Sequence, residues 1–172
     1  EKLFCNCLNN HKIANTPNKF ICPTCTAQPG SKPMLPNKEA INKSLQIALI
    51  LNCKISEKLK FWRKHYNWPD LPKGYQNTMS GTYSDFLGKA GKFEGIGIRE
   101  VHLEEDPAAW DPKTGTIDYN RSGVPLVEIV TEPDFSSSEQ VEAWLKKLIL
   151  TLSYVKALDK DSGIKADVNV SL

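Results

Sequence analysis

Two pairs of cysteines near the start of the chain constrain its fold more than any other feature of the sequence. Cys5 and Cys7 form a C-x-C pair, and Cys22 and Cys25 form a C-P-x-C pair after a 14-residue spacer. Each pair can hold one ion from a tight turn, and the spacer suits a hairpin that brings both pairs together. Four thiolates complete a tetrahedral zinc site with no open position, so the spacing predicts structural rather than catalytic zinc.

The cysteines have two alternative uses. Two disulfides are one, but close-spaced pairs in a reducing cytosol favour a metal over bridges. An iron–sulfur cluster is the other. Cys53 is left over in an apolar helical segment, and we interpret it as an inert core thiol.

Composition is that of an ordinary globular protein, with 40% hydrophobic and 24% charged residues in 172. The net charge of +2 gives no global field for a nucleic acid or a membrane. No apolar run has membrane-spanning length and no signal peptide precedes the cysteines, so we expect a cytoplasmic protein. Residues 54–66 interleave cations with aromatics, which suits a phosphate backbone with exposed bases. A helix or strand with core aromatics and solvated lysines explains the same pattern equally well.

Helical periodicity predicts two helices. Asn37 caps a segment that runs to about Asn52 with apolar residues on one face. Ser136 to Glu139 reads as a capping box, and apolar residues then recur at helical spacing as far as Val155.

Alternating segments predict an antiparallel sheet. Residues 95–104 shift their apolar phase between Ile98 and Val101, which indicates a bulge. Residues 124–131 and 166–172 alternate as strands, whereas residues 80–97 are glycine-rich and are expected to form a loop. The sum is an α+β fold, mainly an antiparallel sheet with packed helices. The N-terminal zinc-binding hairpin takes residues 1–30 and the main domain takes residues 31–172.

Acidic residues in the strands could hold a cation. His102 and Glu104 would point to the same face of a strand, as two ligands of one ion require. Glu128 interrupts the apolar run 126–130, where an unpaired carboxylate is costly to bury. A solvated acidic turn and a buried pair between Glu128 and Arg121 are the plain interpretations. The sharper hypothesis is a magnesium site that includes Glu128, with Asp167 joining the same surface.

No phosphate-binding loop of the Gly-x-x-x-x-Gly-Lys or Gly-x-Gly-x-x-Gly type occurs, so nucleotide binding cannot be inferred from such a motif. The sequence nevertheless resembles a known family, the catalytic domain of the B subunit of tRNA-dependent amidotransferases (GatB of the GatCAB complex). The resemblance covers most of the chain in the family's order. It rests on the segments Lys2–Cys5, Cys22–Cys25, Tyr66–Gln76, His102–Asp106, Asn120–Asp134 and Ala166–Ser171.

The resemblance implies a ligase that uses ATP and magnesium to phosphorylate the carboxylate of Glu or Asp misacylated onto tRNA-Gln or tRNA-Asn. Ammonia from the glutaminase A subunit then displaces phosphate, and a small C subunit completes the complex. On this basis Glu104 and Glu128 bind magnesium, and Arg121 is a further candidate cofactor contact. Glu105 and Asp167 lie nearby, and Lys64 matches the lysine at the point where ammonia enters. The four cysteines match the zinc-bearing members.

Departures from the family pattern imply a piece of a longer protein that is inactive alone. The family's first strand, with Gly-Leu-Glu-x-His, is absent, as are the C-terminal helical and tail domains. Lys165 stands where the family usually has Arg, which loses a bidentate phosphate contact. Two alternatives stay open: the E subunit of the archaeal Glu-tRNA-Gln amidotransferase, and a zinc-ribbon RNA-binding module without chemistry.

Overall fold

An antiparallel sheet with two helices forms the framework of the computed structural model, which describes residues 1–9, 16–158 and 163–171. Its elements are, in chain order, α1 (Lys38–Ile50), β1 (Lys54–Ile55), β2 (Trp62–His65), β3 (Tyr75–Thr78), β4 (Gly88–Phe93), β5 (Ile96–Glu105), β6 (Ala109–Trp110), β7 (Ile117–Asp118), β8 (Pro125–Thr131) and α2 (Ser138–Tyr154). Hydrogen-bonded strands run in the order β1-β4-β5-β3-β2, and β8 pairs with the other edge of β5. Strands β6 and β7 form a separate two-stranded ribbon. The predicted α+β class is confirmed.

Both helices pack against one face of β5. Their shared core consists of Ile47, Ala48 and Leu51 from the first helix and its end, Ile96, Ile98 and Val101 from β5, and Trp144, Leu148 and Leu152 from α2. The register between β5 and β8 shifts between Ile98 and Glu100, which confirms the predicted bulge. Because of this extra residue, the side chains before and after the bulge reach the same core. Strict alternation after the bulge sends His102 and Glu104 to the opposite face.

The expected loop at residues 80–97 is wrong in its second half, where β4 bridges β1 and β5. Glycine is ordinarily unfavourable in a strand, but here it lets the strand approach the helix layer. A Cβ on Gly88 would lie 2.9 Å from the Ala48 Cβ and 2.8 Å from the Cys53 Cβ. The glycines that suggested a loop are therefore needed for the close packing of this strand.

Replacing Gly91 with Ala should destabilise the fold by about 1–3 kcal/mol, the usual cost of overpacking. The added Cβ would overlap the Leu51 carbonyl oxygen and lie 2.5 Å from Cys53 Sγ. Gly97→Ala is the matched control, because its closest neighbours are the side chains of Glu132 and Asp134, which can move. Urea unfolding of both variants measures the difference. Equal stability of the two would show that Gly91 is not a packing position.

Capping explains where the helices begin. Asn37 Oδ1 accepts from the Ala40 amide, so the first predicted cap is confirmed. In α2 the cap lies one residue later than predicted, at Ser137, whose hydroxyl accepts from the Gln140 amide. Gln140 accepts instead from the amide and hydroxyl of Ser136, and so Ser136 stays outside the helix.

The predicted final strand at residues 166–172 does not form. Residues 163–171 carry no strand, and Leu172 lies outside the described residues. The inward-facing residues of that prediction are exposed, with Val168 at 62% and Val170 at 82%. Alternation alone gives a strand only when a neighbouring edge pairs with it, and none pairs with this segment in the described chain.

No helix in the described ranges is long and apolar enough to cross a membrane.

Candidate functional site

Strand register gathers the candidate site on the sheet face that is turned away from the two helices. His102 lies directly opposite Glu128, and Glu104 lies opposite both Leu126 and Thr78. Directly opposed residues in an antiparallel pair have side chains on the same face. Glu104, His102 and Glu128 therefore share one surface, which we call the acidic face.

Glu104 is the buried carboxylate of the acidic face. Glu104 is only 8% exposed, and its Oε2 accepts a hydrogen bond from the Thr78 hydroxyl at 2.8 Å. Burial raises the pKa of Glu104, and the charge of Glu128 raises it further against the Thr78 hydrogen bond. A cation placed beside this carboxylate would relieve its desolvation.

Glu128 is not buried, contrary to the premise drawn from its apolar neighbours. Its side chain is 51% exposed, because this face of β8 has no covering layer in the described chain. The His102 imidazole lowers the pKa of Glu128, and the positive charge of Lys64 lowers it as well. Glu128 is thus an ionised, accessible carboxylate at neutral pH.

Arg121 is not the partner of Glu128. Its guanidinium donates to the backbone oxygens of Pro107 at 2.9 Å and Ala108 at 2.6 Å, and it lies 3.6 Å from Asp106. Burial raises the pKa of Asp106 to about 6, against the lowering effect of the Arg121 charge. Arg121 therefore holds the loop after β5.

His102 is enclosed between two acidic side chains. It is 1% exposed and stacks on Phe86, with ring centroids 5.2 Å apart. Nε2 lies 3.4 Å from Glu100 and Nδ1 lies 3.3 Å from Glu128, yet neither nitrogen makes a well-aligned hydrogen bond within the described residues. A buried ring with two polar atoms unsatisfied is costly, which is typical of functional sites.

Lys64 and Asp167 reach the acidic face through their charges. Lys64 is exposed on β2, with Nζ 6.0 Å from the Tyr66 ring centroid, and it acts on Glu128 as an attractive charge. Asp167 is exposed in the C-terminal segment and raises the pKa of Glu128 by repulsion. Its carboxylate pairs with Lys165 at 2.9 Å.

Glu105 lies on the other face of β5, away from Glu104. Its carboxylate pairs with the Lys73 ammonium and accepts from Asn77 Nδ2 at 2.7 Å. It is 6% exposed, and both of these contacts are made by Oε2. The structure does not bring Glu105 together with the acidic face.

Sequence reasoning missed three polar neighbours of the acidic face: Glu100, Thr78 and Gln76. The Gln76 amide accepts from the Tyr66 hydroxyl at 3.0 Å and donates to the Glu105 backbone oxygen at 2.8 Å. The signal that could have found them is strand pairing, since Lys64 lies opposite Gln76 and Trp62 lies opposite Thr78. That pairing is not visible in a single sequence.

The carboxylates on the acidic face fit magnesium only if water and substrate phosphates supply most of its ligands. Among the described residues, three donors within reach of one ion occur only at the cysteines. Magnesium commonly uses one or two protein carboxylates and completes its shell with water and substrate phosphates. Glu104 and Glu128 match that mode, whereas a closed protein cage does not form here.

The four cysteines near the N-terminus come together as the spacing predicted. Cys5, Cys7, Cys22 and Cys25 place their sulfur atoms within 4.8 Å of one another. Tetrahedral zinc with bonds of about 2.3 Å needs sulfurs roughly 3.8 Å apart, so a small contraction suffices. All five cysteines of the chain are free, and the disulfide alternative is not seen.

The close contact of these thiols shifts their pKa values in different directions. A hydrogen bond from the Cys5 thiol lowers the pKa of Cys25 to about 4, and the same bond raises the pKa of Cys5. Burial raises the pKa of Cys7 to about 11. Several thiolates this close together repel one another unless a cation lies between them. The cluster therefore has the donor chemistry of a metal site.

Long-range hydrogen bonds fix this cysteine module (residues 1–9 and 16–30) to the sheet. Asn120, fully buried, accepts from the Phe20 amide at 2.7 Å and donates to the Thr16 oxygen at 3.0 Å. The Ser122 hydroxyl donates to the Cys25 oxygen at 2.8 Å. Residues 119–123 lead directly into β8, so the module supports the strand that carries Glu128.

Comparisons with known proteins agree with this picture. The model of the family described as the GatB/GatE catalytic domain matches residues 1–172. The Aspartyl/glutamyl-tRNA(Asn/Gln) amidotransferase subunits B of Methanococcus maripaludis strain C5 and Methanocaldococcus jannaschii are each 49% identical over 173 residues. The subunit of Methanopyrus kandleri is 48% identical. Each match covers 99% of this chain but only 36%, 35% and 36% of those relatives, respectively.

Proposed function

This chain belongs to the GatB/GatE catalytic-domain family, and from that premise we propose that it carries the kinase and amidation centre of a tRNA-dependent amidotransferase. The substrate is Glu or Asp misacylated onto tRNA-Gln or tRNA-Asn. The single observation that carries the proposal is the convergence of Glu104, Glu128 and Lys64 on one face of the sheet.

The reaction needs activation because a carboxylate is a poor acylating agent. Transfer of the γ-phosphoryl group of ATP to the side-chain carboxylate creates an acyl phosphate, and attack by ammonia then releases phosphate and forms the amide. Glu104 and Glu128 are the residues that would hold magnesium, with the remaining positions left to water and phosphate oxygens. Bound magnesium would neutralise charge during phosphoryl transfer.

The chain's own residues then have distinct roles. Thr78 orients Glu104, and His102 restrains Glu128 from the adjacent strand. Lys64 supplies a positive charge beside Glu128 where the incoming amine meets the activated carbonyl. Asp167 would act on Glu128 through its charge from the C-terminal segment, whereas Glu105 and Arg121 would act as positioning residues for the loops around the acidic face.

The cysteine module is proposed to hold structural zinc, since its four donors leave no coordination position open. The glutaminase A subunit would supply ammonia and the small C subunit would complete a cytoplasmic complex. The archaeal E subunit belongs to the same family description, but the relatives described above are B subunits. Because the chain spans about 36% of those relatives, the activity is assigned to the full-length protein.

The test is an amidation assay with the full-length protein and its A and C subunits. We expect amide formation on Glu-tRNA-Gln or Asp-tRNA-Asn that requires both ATP and magnesium, with about one ATP consumed per amide. A non-catalytic RNA-binding module would bind tRNA with neither requirement. Amidation that proceeds without ATP, or tRNA binding alone, would contradict the proposal.

A further inference from the structure

Lys2 is a cation buried beside the cysteine module. It is 1% exposed, and its Nζ lies 3.3 Å from Cys25 Sγ and 3.0 Å from the Tyr119 backbone oxygen. Within the described chain Lys2 makes no ion pair with an Asp or Glu carboxylate, whereas the part-buried Lys73 pairs with Glu105 and the part-buried Arg121 lies beside Asp106. A buried ammonium without a compensating charge is strongly unfavourable.

The compensating charge is available from the thiolates. Four thiolates around one divalent cation carry a net charge of −2, and that charge would lie in a partly buried environment, with Cys5 at 7% and Cys25 at 4% exposure. An N–H donor to a ligand sulfur removes electron density from that sulfur and stabilises it in the bound form. The Cys22 amide already donates to Cys25 Sγ at 3.2 Å, but it is neutral.

We infer that Lys2 is the built-in counter-charge of the four-thiolate metal site and a positioning residue that joins the site to the segment leading into β8. The inference rests on the proposed metal site. Two hydrogen bonds of the Lys2 ammonium support the inference, one to Cys25 Sγ and one to the Tyr119 backbone oxygen. Tyr119 lies in the same segment as Asn120 and Ser122, whose hydrogen bonds fix the cysteine module to the sheet. The Leu3 amide continues the same connection by donating to the Gly123 oxygen at 2.8 Å.

Replacing Lys2 with Met should weaken metal retention, because it keeps the apolar stem and removes the charged donor. A charge-assisted hydrogen bond of typical strength corresponds to about a ten- to hundredfold change in equilibrium. The full-length protein is loaded with zinc, and transfer of zinc to a chromogenic chelator is timed for wild type and variant. Lys19→Met is the matched control, since Lys19 is an exposed lysine of the same module that contacts the Phe20 ring instead of a sulfur.

A spectroscopic readout separates this role from general support of the fold. With Co²⁺ as the probe, loss of a donor to a ligand sulfur should move the sulfur-to-cobalt charge-transfer band to lower energy in Lys2→Met and leave it unmoved in Lys19→Met. If Lys2→Met does not fold, Lys2→Gln is used, because it removes the charge and keeps an N–H donor on a shorter side chain. Its metal transfer should be at least about tenfold faster than that of wild type.

The outcomes are distinct. Wild type that binds about one zinc tightly, together with fast transfer and a shifted band in the Lys2 variants, supports the inference. If wild type binds zinc but the Lys2 variants show unchanged zinc transfer and an unchanged cobalt band, the role of Lys2 is overturned. The metal site itself then remains supported. A wild type that retains no metal overturns both the metal site and the role of Lys2, without bearing on the acidic face.

Discussion

Glu128→Gln should reduce ATP-dependent amidation by at least about a thousandfold while the protein stays folded, because the variant removes the charge of a ligand carboxylate and keeps its shape. The structure allows this separation. Glu128 is 51% exposed, so a Gln side chain at this position stays in contact with water and leaves no buried charge without a partner. A buried pair with Arg121 would have cost about 3–5 kcal/mol on removal of one partner, but Arg121 is bonded elsewhere.

The measurement combines thermal unfolding, with and without magnesium, and an ATP-consumption assay in the complete complex. Glu132→Gln is the matched control, because Glu132 is an exposed carboxylate just beyond β8 that pairs with Arg99 at 3.0 Å. The control should retain both activity and stability. Full ATP turnover by Glu128→Gln would show that Glu128 does not hold the metal, and a large loss of stability without metal would show that its role is structural.

Lys64→Ala should lower amidation by about a hundredfold or more and leave the melting temperature unchanged. The side chain is exposed on β2, so its truncation removes little packing, whereas its charge acts directly on Glu128. Phosphorylation of the side-chain carboxylate should persist better than amide formation if Lys64 acts where ammonia enters. ATP consumption and amide yield are therefore measured together, and their ratio should rise in the variant.

Lys60→Ala is the control for that experiment, since Lys60 is an exposed lysine four residues earlier that meets Asp85 only through its backbone. We expect it to behave as wild type. Unchanged amidation in Lys64→Ala would return Lys64 to the interpretation as a solvated surface cation. An equal loss of ATP use and amide would place it in the phosphorylation step instead.

Local chemistry accounts for what the sequence predicted correctly. The cap at Asn37, the bulge after Ile98 and the convergence of four cysteines depend on residue types at fixed short spacings. The failures depend on distant partners. Gly88 and Gly91 are strand residues packed closely against α1 and the residues that follow it, and Glu128 is exposed because nothing in the described chain covers it.

The acidic face shows the same division. The alternation of β5 was enough to place His102 and Glu104 together, but it could not show that Glu105 has Lys73 and Asn77 on the far side. Nor could it identify Thr78, which reaches Glu104 across a pairing 26 residues away in the chain. The roles expected for these residues came from the resemblance to the family, whereas their neighbours are visible only in the strand register of the structure.

The bonds between the cysteine module and residues 119–123 also have a consequence for synthesis. Asn120 meets Phe20 across a separation of 100 residues, so the cysteines leave the ribosome long before the segment that fixes them exists. At about 5–20 residues per second, this interval lasts on the order of 5–20 s. During that time the thiols lack the residues that fix them, and early capture of an ion would hold them together. Nascent chains starved of zinc should therefore keep thiols that an alkylating reagent can modify until the sheet is complete.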